Sequence, residues 1–377
     1  MVVDPDQVPC GTILEAAKAL GMLTGLVVTS RVTHATPASF SAHVVHRDLE
    51  ADIATHQIGD YVLGRQVDLM MGGGKCFFMP NTTEGSCRQD DRDLLGEREK
   101  YGWSTLMTSL KDMNDLNKDS NYIKLPALGL FNLDHLNYMI DTNLRKDEPT
   151  LSQMAEAALK ALKRNAGPSQ GFFLMIEGSR IDMGAHNNDP VAHLHEILEY
   201  HATVAAVRKF VKNNPNTLLI STSDHETGGF TLGYQPDPHK YPDYQWFPEV
   251  IDRATASTEI LAPKVFGYKG KDRREYVRTE ILRDGLGITD PTKEELDYLS
   301  DPSVPQGEIM VFLGHAISHR AYLGWTTIGH TGLDVNLYAE GENSSLLRGN
   351  HENTEIGQIM SEYLNVDLQA ITKKLTK

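Results

Sequence analysis

Helix and strand patterns alternate along the middle third of the chain, and this alternation restricts the fold more than any other feature. Residues 150–163 have the apolar spacing of an amphipathic helix, with Thr150 as its N-cap. The short apolar run Phe172–Ile176 predicts a strand, Val191–Val211 a long helix and Thr217–Ser221 a further strand. Strands separated by helices at this spacing usually form parallel sheets. We therefore predict an α/β fold in which helices cover both faces of a mostly parallel central sheet.

The beginning of the chain shows the same alternation. Ile13–Leu20 predicts a helix and Leu23–Ser30 a strand, and a second helix pattern starts at Pro37 and runs towards Arg47. The run Val67–Met71 predicts another strand, which ends at three consecutive glycines. Because no Gly-Lys-Ser/Thr follows these glycines, a tight turn is favoured over a phosphate-binding loop.

The alternation breaks over residues 234–325, where proline, tyrosine and charged residues are frequent. A strand pattern resumes over Asp334–Tyr338 and a final helix pattern over Glu355–Leu364. We predict that residues 1–377 form a single domain and that residues 234–325 are an insertion within it.

Charge and hydropathy exclude several classes of partner. The formal net charge is −15 and the isoelectric point about 5.4, so the average field would repel a nucleic acid. No run of 18 apolar residues is present, and we expect no transmembrane segment. The first residues, Met-Val-Val-Asp-Pro-Asp-Gln, have neither the basic nor the apolar region of a signal peptide.

The chain has three cysteines, Cys10, Cys76 and Cys87, which are too few for a disulfide scaffold and lack zinc-finger spacing. Cys76 and Cys87 flank Asn81-Thr82-Thr83, an N-glycosylation acceptor pattern, and Asn343-Ser344-Ser345 is a second one. Two interpretations remain open. Such tripeptides occur by chance in large proteins; alternatively, the chain is a luminal glycoprotein in which one disulfide closes a surface loop.

Residues typical of metal ligands follow or precede predicted strands at three places. They are Glu177, Asp182 and His186 after the third strand, Asp224 and His225 after the fourth, and His330 ahead of the late strand. Ligands gather at the carboxyl ends of strands in open α/β sheets. Carboxylate and imidazole groups suit zinc, and an oxygen pocket around a glutamate suits magnesium. One such Asp-His pair is more often a surface or core feature, whereas three at successive strand ends leave a structural and a metal-binding interpretation equally open.

The spacing within these segments is compatible with chelation. Asp182 and His186 are four residues apart, so one helical turn would place them on one face. Asp224 and His225 are adjacent, and they can share an ion only where the backbone turns at a strand end.

These segments resemble the alkaline phosphatase family, and the resemblance extends through nearly the whole chain. Several motifs occur in the family's order, which makes the resemblance highly specific, and the loops are most similar to those of eukaryotic, fungal vacuolar-type members. The motifs are Thr33-His34-Ala35-Thr36-Pro37-Ala38 with Ala42-His43 and Arg47, Glu177-Gly178-Ser179-Arg180-Ile181-Asp182 with His186, Asp224-His225-Glu226-Thr227-Gly228-Gly229, Gly329-His330-Thr331-Gly332-Leu333-Asp334-Val335 and His351-Glu352-Asn353.

The resemblance implies a hydrolase of small phosphate monoesters that binds two Zn²⁺ and one Mg²⁺ per subunit. The implied ligands are Asp182, His186 and His330 for one zinc, Asp224 and His225 for the second, Thr36 and Glu177 for magnesium with His34 beside it, and Arg47 for the substrate phosphate. It also implies a homodimer, with residues 234–325 near the interface and the rim of the site. The full-length form is expected in the secretory pathway or the vacuole lumen, with a membrane anchor only in a longer form.

Two residues depart from the family's pattern. His34 stands where bacterial members have aspartate, as in the animal enzymes, which is expected to alter magnesium affinity. Met183 stands where bacterial members have lysine and animal members histidine. Since a thioether cannot reach phosphate through a water as lysine would, Arg47 is expected to contribute more to anion binding.

The family's nucleophilic serine lies in an Asp-Ser-Ala context and a bridging aspartate in Asp-Asn-Gly, and this sequence contains neither tripeptide. The early serines Ser30, Ser39 and Ser41 have other neighbours and are not expected to replace the nucleophile. We therefore expect a phosphoserine intermediate in the full-length form and impaired turnover by this chain, which would start at an internal methionine and leave a sheet edge uncovered.

Two alternatives to an impaired phosphatase remain. One is a non-catalytic paralogue that binds metal or phosphate. The other is a sulfatase or phosphodiesterase on the same scaffold, and Arg47 together with His34-Ala35-Thr36-Pro37 argues against it.

Overall fold

The computed structural model describes residues 2–118, 122–167 and 170–377. The helices are α1 Ile13–Ala19, α2 Ala35–Ser41, α3 Glu50–Ile58, α4 Leu94–Glu97, α5 Leu110–Leu116, α6 Leu151–Asn165, α7 Arg180–His186, α8 Pro190–Asn213, α9 Pro248–Asp252, α10 Thr258–Phe266, α11 Arg273–Tyr276, α12 Lys293–Ser300, α13 Gln306–Arg320, α14 Asn353–Leu364 and α15 Leu368–Leu375. The strands are β1 Leu23–Arg31, β2 Leu69–Gly73, β3 Thr105–Met107, β4 Ala127–Leu130, β5 Phe172–Glu177, β6 Leu218–Thr222, β7 Glu226–Thr227, β8 His330–Thr331 and β9 Leu337–Gly341.

The central sheet has five strands in the order β3-β4-β2-β1-β5, and every neighbouring pair is parallel. In the register, Val27 of β1 lies between Met71 of β2 and Ile176 of β5. The three central strands, β4, β2 and β1, are buried along almost their whole length, as expected for a sheet that is covered on both faces. The predicted α/β fold with a mostly parallel sheet is confirmed.

Alternate residues of β1 point into two different cores, because successive side chains of a strand face opposite sides of the sheet. Val27 packs in a cluster with Met154 and Leu162 of α6. Leu26 packs in a second cluster with Leu14 of α1, and the same cluster includes residues of α3. Helices therefore cover both faces.

The strands that follow α8, β6 to β9, do not extend this sheet. β6, which the spacing predicts as a further parallel strand, pairs antiparallel with β9 in a separate two-stranded sheet. β9 spans Leu337–Gly341, a few residues beyond the predicted Asp334–Tyr338. The two-residue strands β7 and β8 form a third, antiparallel pair. A further helix, α15, follows the helix that the pattern predicts as the last.

The helix predicted to run towards Arg47 ends earlier. α2 stops at Ser41, and Ala42 is extended with φ −146° and ψ 147°. Residues 42–49 form a loop that leads to α3, so that Arg47 lies on this exposed loop. The prediction of a continuous helix is wrong here.

Residues 248–323 form a core of their own. Helices α9 to α13 bury apolar side chains against one another, and Val191 of α8 joins this cluster. α13 also contacts the turn between α7 and α8: a Cβ added to Gly314 would lie 2.3 Å from the carbonyl oxygen of Asn188. The helices of residues 248–323 therefore pack against the α7–α8 turn and support it.

Cys76 and Cys87 form a disulfide, and Cys10 is a free, half-buried thiol. Among the described residues, no helix combines the length and hydropathy needed to cross a bilayer.

Candidate metal centre

Three of the predicted ligands meet at one point. Asp182 and His186 project from the same face of α7, which follows β5 after a short turn, and His330 begins β8. The Nε2 atom of His186 is 3.3 Å from Oδ1 of Asp182, and Nε2 of His330 is 3.6 Å from the same oxygen. The two Nε2 atoms are 3.1 Å apart.

These distances fit a tetrahedral zinc ion. With Zn–N and Zn–O bonds of about 2.0–2.1 Å, neighbouring donor atoms of a tetrahedral site lie about 3.3 Å apart. The donors of Asp182, His186 and His330 all lie within 4.8 Å of one another. His186 donates its Nδ1–H to the carbonyl oxygen of Ile328 at 2.6 Å, which leaves the lone pair of Nε2 directed at the other two donors.

Asp224 and His225 lie beside this group. They follow β6 at a backbone turn, where Nε2 of His225 is 3.2 Å from Oδ2 of Asp224. The rings of His225 and His330 stack with their centroids 3.5 Å apart. Thr227 lies between the two groups: its Oγ1 donates to Oδ1 of Asp182 at 2.6 Å and is 3.2 Å from Nδ1 of His225.

Glu177 ends β5 and faces the same region. Its carboxylate accepts hydrogen bonds from Ser179 Oγ at 2.7 Å and from Thr36. Burial raises the pKa of Glu177, and the charges of Asp224 and Asp182 raise it further, although the two hydrogen bonds oppose the shift. Carboxylates gathered in this way are stabilised by a cation.

His34 connects the exposed loop to this region. Its Nε2 is 3.1 Å from Nη2 of Arg47. Burial, together with the charges of Arg47 and Arg31, lowers the pKa of His34 to about 4. The neutral imidazole can therefore accept a hydrogen bond from the Arg47 guanidinium.

Met183 packs against Arg180. Its sulfur lies 3.1 Å from Nη1 of Arg180, which also pairs with Glu259 of α10 at 2.7 Å and stacks over the Tyr138 ring at 3.7 Å. The methionine thus forms part of the buried packing around Arg180.

Some residues of this centre were missed by sequence reasoning. Thr227 directly follows the Asp224-His225-Glu226 motif and could have been found from that position. The carbonyl of Ile328 and the side chain of Asn188 carry no signal in the sequence, because Ile328 bonds to His186 and Asn188 to Thr327, each more than a hundred residues away in the chain.

Comparisons with known proteins identify the family. A family profile described as "Alkaline phosphatase" matches residues 1–366. The chain belongs to the alkaline phosphatase family. The members of this family are metal-dependent phosphoric monoester hydrolases, and their substrates are phosphate monoesters.

Two fungal alkaline phosphatases are similar over most of this chain. It is 47% identical to the alkaline phosphatase of Schizosaccharomyces pombe over 370 residues, which cover 97% of this chain and 68% of the relative. It is 42% identical to the repressible alkaline phosphatase of Saccharomyces cerevisiae, with 98% of this chain and 69% of the relative covered. The resemblance to fungal members is confirmed.

A solved structure supports the same assignment. The cold-active alkaline phosphatase of the psychrophile Shewanella sp. superimposes with a TM-score of 0.77 at 30% identity, covering 96% of this chain and 80% of that protein.

Proposed function

We propose that this alkaline phosphatase chain binds two Zn²⁺ and one Mg²⁺ and uses them, with Arg47, to bind a phosphate monoester. The observation that carries the proposal is the tetrahedral spacing of the three donors at 3.1–3.6 Å. The proposed sets are Asp182, His186 and His330 for one zinc, Asp224 and His225 for the other, and Thr36 and Glu177 for magnesium beside His34.

When bound, a pair of zinc ions stabilises the entering and leaving oxygens of an in-line displacement at phosphorus. The chain's own groups prepare the site for this. Thr227 orients the carboxylate of Asp182 through its 2.6 Å hydrogen bond, and the Ile328 carbonyl fixes the tautomer of His186. Arg47 would present its guanidinium fork to two phosphate oxygens.

The magnesium pocket is supported by the type of its donors. The Thr36 hydroxyl and the Glu177 carboxylate are hard oxygen ligands, which Mg²⁺ prefers. They are hydrogen-bonded to each other, so both reach the same small volume.

Zinc titration of the folded chain tests the zinc sites. We expect competition with a chromophoric chelator to detect high-affinity zinc, and Asp182→Asn to weaken binding by at least about tenfold, because a ligating carboxylate is lost. Asp115→Asn is the control, since Asp115 lies on the surface of α5 and pairs with lysines. Equal zinc affinity in Asp182→Asn and the unsubstituted chain would refute the proposed triad.

Hydrolysis of an aryl phosphate at alkaline pH, with zinc and magnesium, tests the catalytic part. This sequence contains no Asp-Ser-Ala, and loss of a nucleophile costs about a thousand-fold or more in turnover. We expect metal binding with very slow hydrolysis. Turnover at a normal enzymatic rate would show that another residue serves as nucleophile.

We further propose a luminal or secreted glycoprotein. The disulfide between Cys76 and Cys87 suits an oxidising compartment, and Asn81 and Asn343 are both exposed. A glycosidase shift on a gel, lost in Asn81→Gln/Asn343→Gln, would test this.

A homodimer and an insertion over residues 234–325 are part of the same proposal. Tyr241 and Tyr244 in that segment are 82% and 85% exposed, which a partner surface would explain. Light scattering at micromolar concentration measures the oligomeric state.

A further inference from the structure

Asn188 occupies a strained and buried position between α7 and α8. It has a φ of +49°, in the left-handed region, where asparagine is tolerated better than most residues, and its surface is only 2% exposed. A buried residue with positive φ costs stability unless its surroundings hold it in place. Because strained backbone positions are concentrated at functional sites, a functional role for Asn188 is expected.

All hydrogen-bonding groups of the Asn188 side chain are used. Its Nδ2 donates to the carbonyl oxygens of Ala185 and Thr327, both at 2.9 Å. Its Oδ1 accepts from Nε2 of His315, also at 2.9 Å. Only an amide supplies two donors and an acceptor in this arrangement.

The partners of Asn188 belong to three parts of the molecule. Ala185 is next to the predicted ligand His186 on α7, and Thr327 lies in the loop that leads to His330. His315 lies on α13, beside Gly314, whose close backbone approach to Asn188 leaves no room for a side chain.

The loop from Thr327 to His330 is held at successive points. Asn188 binds the carbonyl of Thr327, His186 binds the carbonyl of Ile328 at 2.6 Å, and Gly228 N donates to the carbonyl of Gly329 at 2.8 Å. The first two bonds come from the α7 end, so they set how far His330 stands from Asp182 and His186.

We propose that Asn188 is a positioning residue for the Asp182–His186–His330 zinc site, and that His315 of α13 holds Asn188 in place. This rests on the proposed zinc site. The helices of residues 248–323 are thus connected to the metal centre through the buried side-chain amide of Asn188. Direct hydrogen-bond partners of metal ligands typically contribute about 10- to 100-fold to metal affinity, and Asn188 acts on His186 and His330 through the backbone beside them.

Two substitutions separate positioning from folding. Asn188→Gly keeps the positive φ but removes all three side-chain hydrogen bonds. Asn188→Asp keeps the size and the acceptor for His315 but turns an oxygen towards two carbonyls. Asn365→Gly is the matched control, since Asn365 also has a positive φ of 53° but caps the exposed end of α14.

The measurement is zinc affinity by chelator competition on protein shown to be folded by circular dichroism, with thermal unfolding of the zinc-free form alongside. We expect zinc to bind about 10- to 100-fold more weakly to Asn188→Gly and Asn188→Asp and normally to Asn365→Gly. His315→Ala should weaken binding in the same direction, and its effect should be smaller in an Asn188→Gly background, because the two residues act in series.

The outcomes distinguish the two hypotheses. A lower unfolding temperature of zinc-free Asn188→Gly with unchanged zinc affinity would show a purely structural role and overturn the positioning proposal alone. Absence of zinc binding by the unsubstituted chain would overturn the zinc site and the positioning role with it.

Discussion

Arg47 lies on the exposed loop between α2 and α3, where its Nη2 is 3.1 Å from Nε2 of the neutral His34. Because the sulfur of Met183 contacts Arg180, Arg47 carries the proposed phosphate contact largely by itself. We predict that Arg47→Ala weakens inorganic phosphate binding to the zinc-loaded chain by about 10- to 100-fold, because a charge-assisted hydrogen bond contributes roughly 1.5–3 kcal/mol.

Calorimetric titration with phosphate measures this effect. Arg283→Ala is the control, as Arg283 is an exposed residue that pairs with Asp284. Arg47→Lys should recover only part of the affinity, since lysine lacks the bidentate fork. Equal phosphate affinity in Arg47→Ala would remove this residue from the proposed site.

His43 and Glu15 form a buried pair that should make stability depend on pH. Nε2 of His43 is 2.7 Å from Oε1 of Glu15, and Nδ1 is 2.9 Å from the carbonyl oxygen of Val2. Burial by itself would lower the pKa of His43, but the hydrogen bond and charge of Glu15 outweigh it, so the pKa is raised. Both ring nitrogens face oxygen acceptors, which favours the imidazolium.

A histidine whose pKa is raised on folding contributes stability that is fully present below its unfolded value of about 6.5. This contribution is lost as pH rises through the folded pKa. We predict that the stabilisation contributed by this pair, measured as the difference in free energy of unfolding between the unsubstituted zinc-free chain and Glu15→Gln, shrinks as pH rises from 6 to 9. The neighbouring His56, whose pKa is lowered to about 4 by burial, contributes in the opposite direction, adding stability as pH rises towards about 7, and it does so in both chains.

Urea unfolding at several pH values measures the slope. Glu99→Gln, at an exposed surface position, should leave the slope unchanged. A slope in Glu15→Gln as steep as that of the unsubstituted chain would contradict the assignment to this pair.

At the scale of the elements, the N-terminus of α6 shows a capping box. Gln153 N donates to Thr150 Oγ1, and Thr150 N donates to Oε1 of Gln153. We predict that Thr150→Ala lowers the free energy of unfolding by about 1 kcal/mol, because the Gln153 amide at the helix end loses its hydroxyl acceptor. Thr150→Ser keeps the hydroxyl and should cost clearly less in the same urea titration; equal costs would point to the lost methyl group instead.

Local patterns predict the elements whose causes are local. α6 was predicted from its cap and periodicity, and the four-residue spacing of Asp182 and His186 is compatible with the helical turn that α7 supplies. The early end of α2 was not predictable, since it depends on the buried contacts of His43 with Glu15 and Val2, which are distant in the sequence. Tertiary contacts here override a helical pattern.

Long-range pairing limits the prediction in the same way. β6 lies outside the parallel sheet because it pairs with β9. In this pair Ile220 of β6 lies opposite Ala339 of β9, which is more than a hundred residues later in the chain. Among the site residues, motif order identified the proposed ligands. The hydrogen bonds of Asn188 and the Ile328 carbonyl depend on the folded loop and are invisible in the sequence.

At the scale of the whole molecule, the disulfide anchors the long connection between β2 and β3. Cys76 follows β2, and Cys87 lies beside Arg88, which is 4% exposed and donates to the carbonyls of Ala51 and Phe77. The bond thus fixes this connection against α3. Loss of the disulfide should lower global stability, because the unfolded chain, as well as the folded loop, then gains conformational freedom.

We predict that Cys76→Ala/Cys87→Ala lowers the free energy of unfolding by about 2–3 kcal/mol, the value expected for a cross-link that closes a loop of this length. The two cysteines are 11 residues apart. Cys10→Ala is the control, as Cys10 is a free thiol, and it should unfold at nearly the same urea concentration as the unsubstituted chain. Reducing the unsubstituted chain with dithiothreitol should reproduce the double variant's midpoint, because both treatments remove the same constraint. If the double variant were as stable as the Cys10→Ala control, the connection would be held by Arg88 and its carbonyl partners, and the cross-link would add nothing to global stability.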